Sequence, residues 1–174
     1  MKWLDSMRST AAVQALREAL DAGGDIIVTG GSGSSLTATI AALASDARPL
    51  LYVVAHLDEA DEAIDELESW GIDAAKLPAL EVLPGETTPA LDLLSERLSL
   101  LRRLYDDQVP AVVVAPIAAL MQATPAKERL DELVRTIRIG STLDVKAFAG
   151  WLVDVGYTRV ENIESAGEFA VRGG

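Results

Sequence analysis

Residues 30–37 read Gly-Gly-Ser-Gly-Ser-Ser-Leu-Thr. A phosphate-binding loop of the form G-x-x-x-x-G-K-[ST] between a strand and a helix does three jobs. Its backbone amides cradle phosphates, its lysine neutralises the β/γ charge, and its hydroxyl holds magnesium. Gly30 fills the first glycine and Thr37 the hydroxyl position, with Gly33 inside the turn. Ser35 replaces the second glycine and Leu36 replaces the lysine. Leucine offers no charge to a γ-phosphate, and losing one such group in a poorly hydrated site costs on the order of 10²–10³ in rate. The nearest bases are Arg17 and Arg48. The loop therefore reads as vestigial, without hydrolysis, although its amides and the following helix N-terminus leave weak anion binding open. The alternative is a nucleotide-binding enzyme domain that uses Gly30–Thr37. Its dinucleotide version, Gly31-x-Gly33-x-x-Leu36, has two of three glycines, with Asp58 as the acid after the second strand.

Little else in the chain could do chemistry. There is no cysteine and a single histidine, His56, which excludes disulfides and thiol catalysis and disfavours a metal centre or a histidine-based triad. His56 follows a buried strand at the edge where α/β proteins bind ligands, but reads as a surface or capping residue. Asp106 and Asp107 read as solvated acids in a helix-to-strand turn. Arg102 and Arg103 favour the end of their helix, where Arg102 can pair with Asp106.

These residues need a scaffold, and the apolar periodicity supplies one. Hydrophobic residues make up 49% of the 174-residue chain and aromatics only 5%, so its core is built from Leu, Val, Ile and Ala. Helices are expected over 8–22 (with Ala12, Leu16 and Leu20 inward), 36–45, 57–69, 91–105 and 144–154. Short apolar runs at 25–29, 50–55 and 111–115 read as buried parallel strands, with a weaker strand at 73–77. Residues 78–90, with three prolines and Gly85, read as an ordered loop. The alternation argues for an α/β protein whose parallel sheet is flanked by helices. After Pro125 the pattern changes. Residues 134–139 alternate apolar and polar like a half-exposed strand, and 157–163 and 168–172 read as short strands.

We therefore expect two units, residues 1–133 and residues 134–174. The net charge of −12 lies wholly in the first, with 10 Lys/Arg against 22 Asp/Glu, whereas the second holds 5 of each. An acidic front of this kind repels phosphate backbones. No targeting segment or long apolar run is visible, and a cytoplasmic protein without a membrane role is expected. The last residues, Phe169 to Gly174, read as a strand-turn unit cut short, so a fragment of a longer protein is expected.

Several stretches, taken in order, resemble the N-terminal UvrB-homology module of bacterial transcription-repair coupling factors (Mfd). They are the degenerate loop with Leu36-Thr37, Leu80-Glu81-Val82-Leu83-Pro84 with Pro89, and Ser95-Glu96-Arg97-Leu98 with Leu101-Arg102-Arg103-Leu104. Val112 to Gln122 is a fourth. The most specific is Gly156-Tyr157, Arg159-Val160 and Gly167-Glu168-Phe169-Ala170-Val171-Arg172-Gly173-Gly174. Leu80 and Gly85 depart from the aromatics usual in that family. The resemblance implies a degenerate, helicase-like P-loop domain over 1–133, followed by the start of a small α+β domain that contacts UvrA. It implies a non-catalytic module that recruits UvrA of nucleotide excision repair to stalled RNA polymerase. RNA polymerase and DNA would be met only through downstream domains, and ATP and magnesium only at downstream motor domains, so no cofactor is expected here. Arg172 matches a family position implicated in UvrA binding, and Arg159 lies near a second. UvrB itself, a UvrB-like ATPase, would need the Gly-Lys-Thr and a tyrosine-rich hairpin. Residues 78–90 hold no aromatic.

Overall fold

A computed structural model describes residues 2–44, 48–81, 85, 89–165 and 167–172. Two helices, α1 (Lys2–Arg8) and α2 (Ala11–Ala22), lead to α3 (Ser34–Leu43). There follow β1 (Leu50–Val54), α4 (Leu57–Ser69), β2 (Ala74–Lys76), α5 (Leu91–Tyr105) and β3 (Val112–Pro116). The chain continues through α6 (Ile117–Leu120), α7 (Lys127–Leu133), α8 (Val145–Asp154), β4 (Thr158–Arg159) and β5 (Glu168–Phe169). The main sheet is parallel in the order β1-β3-β2, and β4 pairs with β5 in a second, two-stranded parallel sheet. This is the α/β architecture expected from the alternation of apolar runs and helices.

β3 is central, and all five of its residues are buried. Its two-residue period feeds two cores. Val112 and Val114 pack with Ala41 and Ala42 of α3, Ala60, Ala63 and Leu67 of α4, Leu4 of α1 and Val13 of α2. Val113 and Ala115 turn the other way, to Leu77, Leu100 of α5 and Ala119 of α6. The first core is rich in alanine, which lets α4 lie close to the sheet and α3 close to α4. Trp3 and Trp70 meet edge-to-face at 5.1 Å and join α1 to the end of α4.

Helices 57–69 and 91–105 fall where periodicity puts them. Five expectations are corrected. The run expected as a buried strand over 50–55 does form β1, but as an edge strand that leaves Leu51 and Val53 exposed. Residues 25–29 are not a strand: Ile27 is 89% exposed, and no backbone ladder joins the segment to the sheet. An apolar run forms a buried parallel strand only when a neighbour satisfies its amides, and residues 25–29 pair with neither edge strand, β1 or β2. Residues 134–139 also form no strand, and Ile137 and Ile139 are exposed. The helix expected over 8–22 breaks at Ser9, because the Thr10 side chain accepts from Val13 N and starts α2 afresh. This turns Val13 inward and leaves Ala12 exposed. The strands expected over 157–163 and 168–172 shorten to the two residues each of β4 and β5. Parts of the 78–90 loop, the end of the helix expected to reach residue 45, and Gly173-Gly174 lie outside the described residues.

One buried charge ties the second core together. Arg97 of α5 is 2% exposed. Its Nη1 donates to Pro78 O at 2.8 Å, and its Nη2 to Ala119 O at 3.0 Å and Gln122 O at 3.3 Å. Burial pushes its pKa below the ordinary arginine value. The Gln122 side chain completes the junction: its Oε1 accepts from Leu80 N at 2.8 Å and its Nε2 donates to Leu80 O at 2.9 Å. We expect Arg97→Ala to lower stability by about 3 kcal/mol in urea unfolding, because two buried carbonyls and a partly buried one lose a charged donor. Arg97→Lys should recover less than half of that, since one ammonium cannot span the same acceptors as a planar fork.

Candidate functional site

The glycine-serine loop enters α3 through Gly33, whose φ of 52° and ψ of −141° few other residues adopt. Ser35 closes the turn on itself. Its Oγ accepts from Ser32 N at 2.9 Å and donates to Ser32 O at 2.7 Å. One of the amides that a phosphate would use is thereby satisfied internally. Leu36 folds back on the loop: a Cβ placed on Gly31 would lie 2.5 Å from Leu36 Cδ2. Thr37 is 5% exposed and belongs to the buried side of α3. Ser34 Oγ donates to Glu66 Oε1, which sets a carboxylate beside the helix start.

The two nearest bases serve elsewhere. Arg17 donates to Ala42 O, at the far end of α3. Arg48 pairs with Asp21 and donates to Leu20 O at 3.1 Å. Arg8 adds donors to Ala41 O, Ala42 O and Ala44 O. These cations gather at the C-terminal, electronegative end of α3. The helix has 10 residues, so that end lies roughly 15 Å from the loop at 1.5 Å per residue.

Other sequence candidates take structural posts. His56 is the N-cap residue of α4 and is exposed. Glu59 Oε2 accepts from Ala55 N at 3.0 Å and His56 N at 3.3 Å. Asp58 stands in the first turn of α4. Asp106 pairs with Arg102 at 2.7 Å, and Asp131 adds a second carboxylate to the same guanidinium. Those hydrogen bonds, from Asp106 first, hold Arg102 above its ordinary pKa. Asp107 takes a left-handed φ of 57° in the turn after α5. Among the described residues, no group of His, Cys, Asp and Glu could hold a metal ion. No helix of the described residues is long and apolar enough to cross a membrane.

Arg159 and Arg172 belong to the small sheet. Arg159 lies in β4 opposite Phe169 of β5 and is exposed. Arg172 is exposed too, and its Nη2 donates to Asn162 Oδ1 at 2.6 Å and to Glu161 O at 3.4 Å. Beside it, Val145, Phe148 and Leu152 of α8 and Phe169 to Val171 line an apolar hollow of about 290 Å³. Glu168 braces the connection between the two strands, where its carboxylate accepts from Glu164 N at 2.8 Å and Ser165 N at 3.0 Å. Sequence reading missed both Arg97 and Glu168. Arg97 carried a signal, since it lies on the apolar stripe of Leu100, Leu101 and Leu104. Glu168 carried none.

The arrangement is therefore that of an α/β protein with a self-closed glycine loop and a small appended sheet that presents two arginines. Comparison with known proteins narrows the class. No protein-family model matches the chain. A transcription-repair-coupling factor of Bacillus subtilis is 32% identical over 152 residues, which is 85% of this chain and 13% of that protein. One from Mycobacterium bovis is 38% identical over 135 residues, or 72% of this chain and 11% of that protein. One from Staphylococcus aureus is 31% identical over 153 residues, or 85% and 13%. By sequence the chain belongs with the transcription-repair-coupling factors, as a region homologous to part of them. It spans about one eighth of the length of the curated relatives it matches.

The Glu168 brace gives a pH test. Its carboxylate is held below the usual glutamate value of 4.5 by the two amides, Glu164 first. A depressed folded-state pKa means that its contribution is complete above that value and is lost as pH falls through the lower, folded one. The Glu164 and Ser165 amide resonances should therefore titrate together below about pH 4.5, and Glu168→Gln should abolish that titration. If these amides are unmoved between neutral and strongly acidic pH, the brace does not form.

Proposed function

We propose that this chain is a non-catalytic docking region of a transcription-repair-coupling factor, one that recruits UvrA of nucleotide excision repair to stalled RNA polymerase. The observation that carries this reading is a loop without a base, set in a chain whose curated relatives are coupling factors. Residues 1–133 are a degenerate helicase-like domain. Residues 134–174 begin the small unit that meets UvrA, with Arg172 as the principal contact and Arg159 as the second. Several features support this division. Phe169 alone is buried among the large hydrophobic residues described after 134, while Ile137, Ile139, Val145, Val153 and Ile163 are open to solvent. Two exposed arginines beside an apolar hollow suit a partner surface that offers acidic side chains around an apolar patch.

Gly30, Gly33, Ser35, Leu36 and Thr37 are the frame of a lost phosphate site. The closed Ser35 turn, the buried Thr37 and the adjacent Glu66 all support that view. RNA polymerase and DNA are reached through other regions of the full-length protein, and ATP and magnesium act there.

Two measurements test the proposal. The immobilised chain should capture purified UvrA, and Arg172→Ala should weaken capture at least about tenfold, with a smaller loss for Arg159→Ala. Failure to capture UvrA, or capture indifferent to Arg172→Ala, would count against it. In calorimetry neither the natural chain nor Leu36→Lys should take up ATP with magnesium at roughly millimolar concentration, because a lysine alone does not expose Thr37 or remove Glu66. Magnesium-dependent uptake by the natural chain would restore the enzyme reading.

A further inference from the structure

β2 is an edge strand, with β3 on one side and, among the described residues, no strand on the other. In a parallel pair, alternate residues turn their backbone groups to the neighbour. Asp73 O accepts from Val112 N at 3.1 Å and Leu77 N donates to Val114 O at 2.8 Å. Asp73, Ala75 and Leu77 thus serve β3, which leaves the N–H and C=O of Ala74 and Lys76 pointing outward. Such an edge is a template for another strand unless it is covered or blunted. Here a groove of about 470 Å³ runs over it, between the two helical layers.

The α4 wall of that groove is acidic, and the α5 wall adds one further carboxylate beside an arginine. Asp61, Asp65 and Glu68 come from α4, Glu96 and Arg103 from α5. The two bases present are already tied: Lys76 to Asp61 at 2.6 Å and Arg103 to Asp73 at 3.1 Å. Asp65, Glu68 and Glu96 have no ion-pair partner among the described residues. Ile64 and Leu100 give the groove an apolar lining beside the strand edge.

We propose that the outer edge of β2 is a docking site for a basic, extended peptide segment of a partner protein, added to the sheet as a further strand. Main-chain hydrogen bonds to Ala74 and Lys76 supply register. Side chains of an extended segment alternate between the two helical layers, so bases at successive positions face Asp65 and Glu68 on one side and Glu96 on the other. Charge decides the occupant. A second copy paired through β2 would bring two sets of acidic walls together, and a nucleic acid would set phosphates against carboxylates. The site is separate from the arginines of the small sheet and does not depend on their role.

The probe is the peptide acetyl-Thr-Lys-Lys-Lys-Val-amide, titrated into the isotope-labelled chain. The Ala74 and Lys76 amides should shift saturably and gain protection from exchange. Binding should weaken at least about fivefold between roughly 0.05 M and 0.5 M salt as the Debye length contracts. The same peptide with glutamates for lysines should not bind. Asp65→Arg with Glu96→Arg, both on solvent-exposed helix positions, should weaken binding at least about tenfold. Ala74→Pro removes an outward N–H but none that serves β3, and should abolish binding while the folded spectrum is retained. The proposal is overturned by no binding at millimolar peptide, by equal binding of the glutamate peptide, or by charge-reversed chains that bind as well as the natural one. A dimer in sedimentation that protects the same edge would also overturn it.

Discussion

The guanidinium of Arg97 is the constraint on which the second half of the main fold depends. A cation at 2% exposure is tolerated only when its donors are taken up, and here backbone carbonyls accept them. Those carbonyls come from places far apart in the chain: Pro78 after β2, Ala119 in α6 and Gln122 after it. Segments rich in proline have few amides with which to build a ladder, so their position must be set by side chains. Arg97 and Gln122 do this together, Arg97 through the carbonyls and Gln122 through both backbone groups of Leu80. The course of the chain out of β2 is fixed by this junction.

A second constraint acts on the opposite layer. α3 is packed by alanines, which bring its backbone close to α1 and α4 but give it no long side chain to hold its end. Arg8 and Arg17 supply that hold by donating to the carbonyls at its C-terminus. The same choice strips the N-terminal end of cations. A phosphate loop needs positive charge at the start of its helix, whereas α3 has its arginines at the finish and a glutamate at the start. The loss of the lysine at 36 is thus one part of a consistent charge arrangement around this helix.

Much of this was legible in the sequence, and the failures have physical causes. α4 and α5 were readable to the residue because each carries a long amphipathic stripe bounded by glycine, proline or a cap. The central strand was readable because its apolar run is paired on both edges and covered on both faces, whereas the equally apolar run of β1, at the sheet edge, leaves Leu51 and Val53 exposed. The same logic misplaced residues 25–29. Asp25-Ile26-Ile27-Val28-Thr29 has the composition of a buried strand, but composition does not say which edge the run pairs with, and here it pairs with none. Residues 134–139 failed for the same reason, since alternation specifies a face and leaves the partner open. Of the candidate site, residues 30–37 were located by pattern alone. The burial of Thr37 and the placing of Glu66 depend on long-range packing and left no local mark, whereas the closure by Ser35 is a local bond to a residue three positions back. Arg172 and Arg159 were placed by family resemblance, and their exposure and neighbours came only with the structure.

The distribution of charge then bears on how the two halves can work. All of the net −12 lies in residues 1–133, and the balanced remainder carries the exposed arginines. A partner that offers acidic groups to Arg159 and Arg172 would be repelled by the body of the first unit, so approach from the side of the small sheet is favoured. A basic segment feels the opposite field and is drawn towards the acidic helices α4 and α5, which flank the one open edge described on that side of the sheet. The two proposed surfaces are thus distinct in place and opposite in charge preference. The bare glycine loop fits neither: it has no cation for an acidic group, and its own serine already fills the amide it would offer.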